Sequence, residues 1–315
     1  MNLQQFRFVA EAARRGLNLT ETAKALHTSQ PGVSKAILEL EQELGVDIFS
    51  RHGKRLRHIT EPGHAVLRAI DVILREVANL RRIGDEFASQ DSGRFSIATT
   101  HTQARYVLPP ALARLRQQFP RLQLSLHQGN PRQVAQWLID ETAVLGLATE
   151  SLDEFEELIS LPWYQWQHVL VMPSGHPLAQ SPALTLEMLA GHPLISYHPA
   201  FTGRSRIDRA FASRGLVPDV VLEAIDADVI KTYVRSGLGL GLVAEMAVRE
   251  EAPDGDLCWR SAGHLFGQNT ARIAFKRGVY LRQHVLDFAG MLSDRLSPAL
   301  LQRALAGQPG SHYEV

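Results

Sequence analysis

The sequence predicts an α/β protein in three parts: a helical N-terminal domain ending in a small β-hairpin, one long helix, and a two-lobed α/β domain. Three observations lead there. Residues 17–60, LNLTETAKALHTSQPGVSKAILELEQELGVDIFSRHGKRLRHIT, read as two short helices, a tight turn and a basic hairpin. A four-three apolar spacing then runs from Val66 to Phe87. Beyond residue 93, strands alternate with helices twice over, and a last strand, ARIAFKR, brings the chain back.

The first short helix spans about Leu19 to Leu26, capped by Asn18 or Thr20, and His27 and Thr28 make the turn. The second starts at Ser29 or Gln30. Pro31 falls in its first turn, where a missing amide proton costs nothing, and Gly45 closes it after Leu44. Val33, Ile37, Leu40 and Leu44 form one apolar stripe facing Phe6, Val9 and Ala13 of a preceding helix. The opposite face carries Ser29, Gln30, Ser34 and Lys35, groups that reach base edges and phosphates when such a helix lies in a major groove. An ordinary amphipathic hairpin would show the same stripe, so the next segment decides between the two. Arg51, Lys54, Arg55 and Arg57 crowd around Gly53, as a wing laid on a DNA backbone requires. Residues 1–60 hold nine Lys or Arg against six Asp or Glu, a local +3 in a chain of net charge zero. Binding to DNA through this segment would weaken as salt rises.

After Pro62 and Gly63 a helix of about 25 residues runs to Phe87. Val66, Ile70, Ile73, Val77, Leu80 and Phe87 make a seam, while Arg68, Arg75, Arg81 and Arg82 stay off it. Such a seam suits a partner helix; packing on its own domain is the alternative. The polar link ASQDSG follows at 88–93. RFSIATT then reads as a strand, Gln103 to Gln118 as a helix, LQLSLHQG as a strand, Pro131 to Glu141 as a helix and VLGLATE as a strand, an order that implies a parallel sheet. HVLVMPSGHPLA, PLISYH and DVVLEAIDADVIKTYVRSGLGLGLVAEMAV build a second unit. The crossovers between the two lobes fall near residues 163 and 268. GLGLGLV is a helix C-cap entering a buried strand, since it lacks the ending of a phosphate loop.

In an open α/β sheet ligands bind beyond the carboxyl ends of strands. Thr100, Thr102 and Gln103 occupy that position after the first strand, with Thr99 a weaker candidate; capping of the following helix explains them equally well. Thr149 ends the third strand of the same unit, and Thr202 opens FTGRSRIDRAF in the other lobe. Asp226 caps DADVIKTYV.

Composition narrows the function classes. No apolar run reaches the length of a membrane span, and Met1 leads into a capped amphipathic helix, so the expectation is a cytoplasmic protein with no membrane partner. A single cysteine, Cys258, excludes an internal disulfide and cysteine-cluster metal sites, and beside Trp259 it reads as buried filler. Thirteen scattered histidines show no metal-ligand spacing, and no nucleophile-base pairing or phosphate loop appears. No catalytic residue, metal or cofactor is expected, which leaves an enzyme or transport-type binding protein without support.

The order of helix, AKALHTSQPGVSKAILELEQELGVDIFSRHGKR and long helix resembles the LysR-type transcriptional regulators, and TTHTQARY at 99–106 resembles their CysB-type branch, over roughly Met1 to Asp294. The resemblance implies a winged helix-turn-helix domain (1–59), a dimerising linker helix (60–92) and an effector domain like type II periplasmic binding proteins (93–294). Lobe I of that domain would be 93–162 with 268–294 and lobe II 163–267, with 295–315 a C-terminal tail. It implies double-stranded operator DNA, RNA polymerase and further copies of the chain as partners, in a homotetramer. Ser29, Gln30, Pro31, Ser34, Lys35, Arg51, Lys54 and Arg55 would meet DNA. Thr100, Thr102, Gln103, Thr149 and Thr202 would line a sulfate-sized site between the lobes. The implied role is regulation of sulfur assimilation and cysteine biosynthesis, with sulfate, thiosulfate, O-acetylserine or N-acetylserine as effector. The chain departs from the CysB-type pattern at LPWYQW, where LPCY is common and a sulfonate-related branch has a tryptophan. A regulator of sulfonate or other organic-acid metabolism is therefore the alternative.

Overall fold

The computed structural model describes residues 1–53, 55–88, 92–201, 203–249, 255–293 and 296–305, which form two compact units, Met1–Ala88 and a second beginning at Ser89. No described helix is long and apolar enough to cross a membrane.

In the first unit α1 (Leu3–Arg14) begins with a capping box: Asn2 accepts from the Gln5 amide and the Gln5 side chain accepts from the Asn2 amide. Asn18 caps α2 (Leu19–Ala25), accepting from the amides of Thr20 and Glu21 at 3.1 and 3.2 Å. His27 turns the chain at φ 50°, a left-handed geometry that few side chains adopt cheaply. The second helix of the pair, α3 (Gln30–Leu44), is capped by Ser29 and stopped by Gly45 at φ 69°. Val33, Ile37 and Leu40 are fully buried against Phe6, Phe8 and Val9, and truncating Ile37 or Leu40 to Ala would cost about 2 to 5 kcal/mol. Strands β1 (Phe49–His52) and β2 (Arg55–Ile59) pair antiparallel to make the wing.

The long helix α4 (Glu61–Ala88) starts before Pro62, which sits in its first turn where it needs no amide partner. Its seam divides. Val66 and Ile70, with Leu67 and Leu74, pack on the winged-helix core, whereas Ile73, Leu80 and Phe87 are 39%, 69% and 74% exposed.

The second unit opens with β3 (Ser92–Thr99), α5 (His101–Tyr106), α6 (Leu108–Gln118), β4 (Arg121–Gln128), α7 (Pro131–Ile139) and β5 (Leu145–Thr149). The sequence reads one helix from Gln103 to Gln118; the structure breaks it at Val107, because Pro109 and Pro110 cannot donate back to the preceding turn and instead begin a new helix. β3 runs parallel to β4 and β5.

Then comes β6 (Leu158–Pro173), 16 residues long, followed by α8 (Leu186–Ala190), β7 (Leu194–Tyr197), α9 (Arg204–Ser213), β8 (Val220–Ala224), α10 (Ala227–Arg235) and β9 (Leu240–Ala244). The last elements are β10 (Leu257–Ser261), α11 (Gly263–Phe266), β11 (Gln268–Lys276), α12 (Gln283–Leu292) and α13 (Pro298–Leu305). β7 is parallel to β8 and β9, but β11 and β6 are antiparallel to their neighbours, so each lobe's sheet is mixed, where the sequence implied a parallel sheet for lobe I. A strand that returns from the other lobe has to run that way. β6 pairs with β11 up to Gln167 and with β9 from His168 onward, so one continuous strand serves both lobes and the crossover falls at 167/168. Ser236 is the C-cap of α10, and Gly237, left-handed at φ 80°, follows it and turns the chain toward the fully buried β9. Cys258 is only half-buried and Trp259 is 47% exposed, because β10 lies at an edge, paired with β6 alone.

Candidate functional site

On the first unit, Pro31, Lys35 and Arg55 are exposed and Gln30 and Ser34 half-buried. Ser29 is exposed but its hydroxyl accepts from the Gly32 amide at 3.2 Å, which gives it a capping role. Lys54 lies outside the described residues. Arg51, expected on the wing's phosphate face, is held inward by the Glu41 carboxylate at 2.9 Å. The other oxygen of Glu41 accepts from the backbone amides of Ile48 and Phe49 at 2.9 and 3.0 Å. One buried carboxylate thus ties helix α3 to the start of the wing. Glu41 follows Ile37 by four residues and shares its buried face, a signal present in the sequence.

In the second unit a cleft opens where the carboxyl ends of β3 and β5 face lobe II. Thr100, His101, Thr102, Gln103 and Thr149 line it from lobe I, Trp166 from the crossing strand, and Tyr197, Phe201, Ile225 and Ala244 from lobe II. Thr202 lies outside the described residues, and Thr99 is fully buried and off the cleft wall. The cavity measures about 30 Å³, about twice what one water needs, so in this conformation it admits only a compact group.

Its polar groups are distinctive. Thr100 stands at the cap position of α5 yet its side chain makes no capping bond, and Thr149 makes none either. The capping explanation of these threonines therefore fails. Thr149 is 3% exposed and Trp166 5%, and neither the Thr149 hydroxyl nor the Trp166 indole N–H has a hydrogen-bond partner among the described residues. An unpaired buried polar group costs about 1 to 3 kcal/mol, which a ligand would recover. Gln103, 3% exposed, accepts the Tyr164 hydroxyl proton on its Oε1 at 2.6 Å. The Tyr197 hydroxyl accepts from the Ala244 amide at 3.2 Å and is also bonded to the Thr102 side chain. Burial raises the pKa of Tyr164, and burial raises that of Tyr197 to about 12, so both phenols stay protonated.

No Lys or Arg lines this cavity, and the His101 imidazole on its wall lies 3.8 Å from the Asp228 carboxylate. Beneath the cavity His168 is fully buried, its pKa driven down to about 3 by burial and the nearby Arg206, so the ring is neutral. Arg204, at the start of α9, is committed to Asp208 at 2.7 Å, Glu223 at 2.8 Å and the Tyr197 carbonyl at 2.7 Å. Arg206 and Arg209 line a wider neighbouring cleft with Arg132 and Glu154.

Of the aromatic run at the crossover, only Trp166 reaches the cavity wall. Trp163 is buried in lobe I, its indole N–H donating to the Leu292 carbonyl at 3.0 Å. His101, Asp226 and Asp228 bring possible metal-ligand atoms within 4.8 Å of one another. Asp228 is already compensated by Lys231 at 3.4 Å and Arg105 at 3.6 Å, which opposes a bound cation. Tyr197 and Ile225 were not anticipated, although both follow the rule that located Thr149: each stands at or just past the carboxyl end of a strand.

A profile of the LysR substrate-binding domain matches residues 88–297, and one of the bacterial regulatory helix-turn-helix proteins of the lysR family matches residues 3–64. The chain is 54% identical over 315 residues to the HTH-type transcriptional regulator CysB of Burkholderia cenocepacia, covering 100% of both. It is 48% identical over 303 residues to the HTH-type transcriptional regulator Cbl of Escherichia coli K12, covering 96% of each. The crystal structure of the cofactor-binding domain of the Cbl transcriptional regulator superposes with a TM-score of 0.65 at 45% identity, over 68% of this chain and 93% of that one. With both profiles matched in order and similarity running the full length of a regulator, the chain belongs to the LysR family.

Proposed function

We propose that this protein is a DNA-binding transcriptional regulator of sulfur assimilation and cysteine biosynthesis genes, controlled by an oxyanion or acyl-serine held between its two lobes. The observation that carries the effector reading is the pair of buried, unpaired groups, Thr149 Oγ1 and Trp166 Nε1, on the wall of one small cavity. A cavity rich in hydroxyl and N–H donors and lined by no Lys or Arg suits a compact group whose atoms are all acceptors, such as the oxygens of sulfate, thiosulfate or a carboxylate. Thr100, Thr102, Gln103 and Thr149 supply lobe I's share, and Thr202 is proposed for lobe II.

In this reading residues 1–59 bind operator DNA through Gln30, Pro31, Ser34 and Lys35 on the helix and Lys54 and Arg55 on the wing. Ser29 caps that helix, and Arg51 orders the wing. The exposed Ile73, Leu80 and Phe87 of the linker helix pair with a second copy, and pairs assemble into a homotetramer in the cytoplasm that recruits RNA polymerase. Residues 93–294 sense the effector, which changes the angle between lobes and so the spacing of the DNA-binding domains. Control of sulfonate or other organic-acid metabolism is the second reading. The apolar side chains of Phe201 and Ile225 on the cavity wall favour it, since they would seat an organic tail.

Calorimetry of the full-length protein against sulfate, thiosulfate, N-acetylserine and O-acetylserine tests the effector, with Thr149→Ala as control. Removing one partner of a charged hydrogen bond should weaken binding about ten- to a hundred-fold. Equal affinity of parent and variant for every ligand bound would place the site elsewhere.

A further inference from the structure

We infer that Tyr164 is a specificity-determining positioning residue: by occupying the Gln103 carbonyl oxygen, it turns the Gln103 amide N–H groups toward the cavity and makes the site discriminate against anions that carry a proton. This rests on the oxyanion reading above and names the feature that selects among oxyanions.

A glutamine side chain has a donor end and an acceptor end of nearly the same shape, so its direction is set by what the neighbours offer. Tyr164 has one hydroxyl proton, and at 2.6 Å from Gln103 Oε1 it is committed to that oxygen. Reversing the amide would leave that proton without its acceptor in a half-buried position. The Tyr164 ring is itself held. It packs edge-on against Trp163, with centroids 4.7 Å apart and planes at 85°, and Trp163 is pinned by its bond to the Leu292 carbonyl. A line of fixed contacts therefore runs from α12 through two aromatic rings to one end of one amide.

On the cavity side this leaves Gln103 as a donor beside Trp166, whose indole can only donate. The threonine hydroxyls can turn either way; the amide is the group whose direction a neighbour has fixed. Sulfate is all acceptor. Hydrogenphosphate has nearly the same size and shape but carries an O–H, which finds no acceptor at the amide or the indole and is confined to positions where a threonine oxygen turns to accept it. A buried donor facing a donor loses its hydrogen bond outright, so the two anions are separated by polarity where size cannot separate them.

The test is calorimetry of the full-length protein against sulfate and inorganic phosphate at neutral pH, with Tyr164→Phe, Gln103→Leu and the double variant. Tyr164→Phe keeps the ring and its packing on Trp163, so the thermal unfolding temperature should change little while the sulfate-over-phosphate affinity ratio falls about ten-fold. In the Gln103→Leu background, adding Tyr164→Phe should leave the ratio unchanged, because the hydroxyl acts only through the amide. If Tyr164→Phe weakens both anions equally, or shifts the ratio as much without Gln103 as with it, the inference is wrong while the oxyanion site stands. If the parent protein binds no oxyanion at all, the oxyanion reading falls and takes this inference with it.

Discussion

The Tyr106 hydroxyl donates to the Asp228 carboxylate at 2.6 Å, joining α5 of lobe I to the first turn of α10 in lobe II. Lys231 and Arg105 stand 3.4 and 3.6 Å from the same carboxylate. Burial pushes the Asp228 pKa up, but the Tyr106 hydrogen bond and Lys231 outweigh it and hold the group below its usual value. α5 also carries Thr102 and Gln103, so this contact between the lobes and residues that line the cavity lie on one short helix. Tyr106→Phe should loosen the closed arrangement, seen as a larger radius of gyration by small-angle scattering without effector. Because the folded pKa is lowered, the stabilisation is complete above the ordinary aspartate pKa of about 3.9 and is lost as pH falls from there through the lowered folded value. Parent and Asp228→Asn proteins should therefore differ in lobe closure at neutral pH and converge in strong acid. Identical scattering at neutral pH would show that the contact does not govern closure.

His168 gives a second pH dependence of the same sign from a different cause, burial that disfavours its charged form. Its folded pKa near 3 lies below the unfolded value of 6.5, so the unfolded chain takes up a proton first and stability falls as pH drops below 6.5. Between pH 6.5 and 5 this single group should remove about 2 kcal/mol of stability. A His168→Phe variant, measured by urea denaturation across that range, should lose this part of the slope.

Gly203 sits at φ +91° beside the same ring, and a Cβ there would stand 2.6 Å from His168 Nε2. Gly203→Ala should cost about 2 to 5 kcal/mol from backbone strain and overpacking together. Thermal unfolding of the full chain checks it; a change within experimental error would mean that the turn can rearrange freely.

Glu41 and Arg55 should separate stability from DNA affinity. Glu41→Ala strips a partner from two buried amides and from Arg51, a loss of roughly 2 to 5 kcal/mol in stability. Arg55→Ala should leave stability nearly unchanged, weaken specific and non-specific DNA alike, and reduce the slope of log affinity against log salt by about 1. The reverse pattern in filter-binding and unfolding measurements would reassign both residues.

Replacing Ile73 by Asp on the exposed part of the linker helix should bury a charge at any helix partner and halve the mass seen in analytical ultracentrifugation. An unchanged mass at concentrations near the dissociation constant would mean that association runs through another surface.

The N-terminal unit was legible because its information is local. Asn18, Ser29, Pro31 and Gly45 fix helix ends within a few residues of themselves, and the stripe of Val33, Ile37 and Leu40 needs only helical geometry to become a core. The same locality placed Thr100, Thr102, Gln103 and Thr149 at strand ends, where ligands of α/β sheets bind. What tertiary structure alone decided was which of two local possibilities each polar side chain takes. Arg51 turns inward because Glu41, ten residues earlier, is buried beneath it, and the Gln103 carbonyl oxygen is taken by the hydroxyl of Tyr164, 61 residues away. Trp163 and Trp166 are close in sequence, yet one locks into lobe I and the other reaches the cavity, on a strand whose partner changes between residues 167 and 168. Periodicity and capping rules constrain the backbone; the direction of a hydrogen bond depends on a partner that the chain delivers only after it has folded.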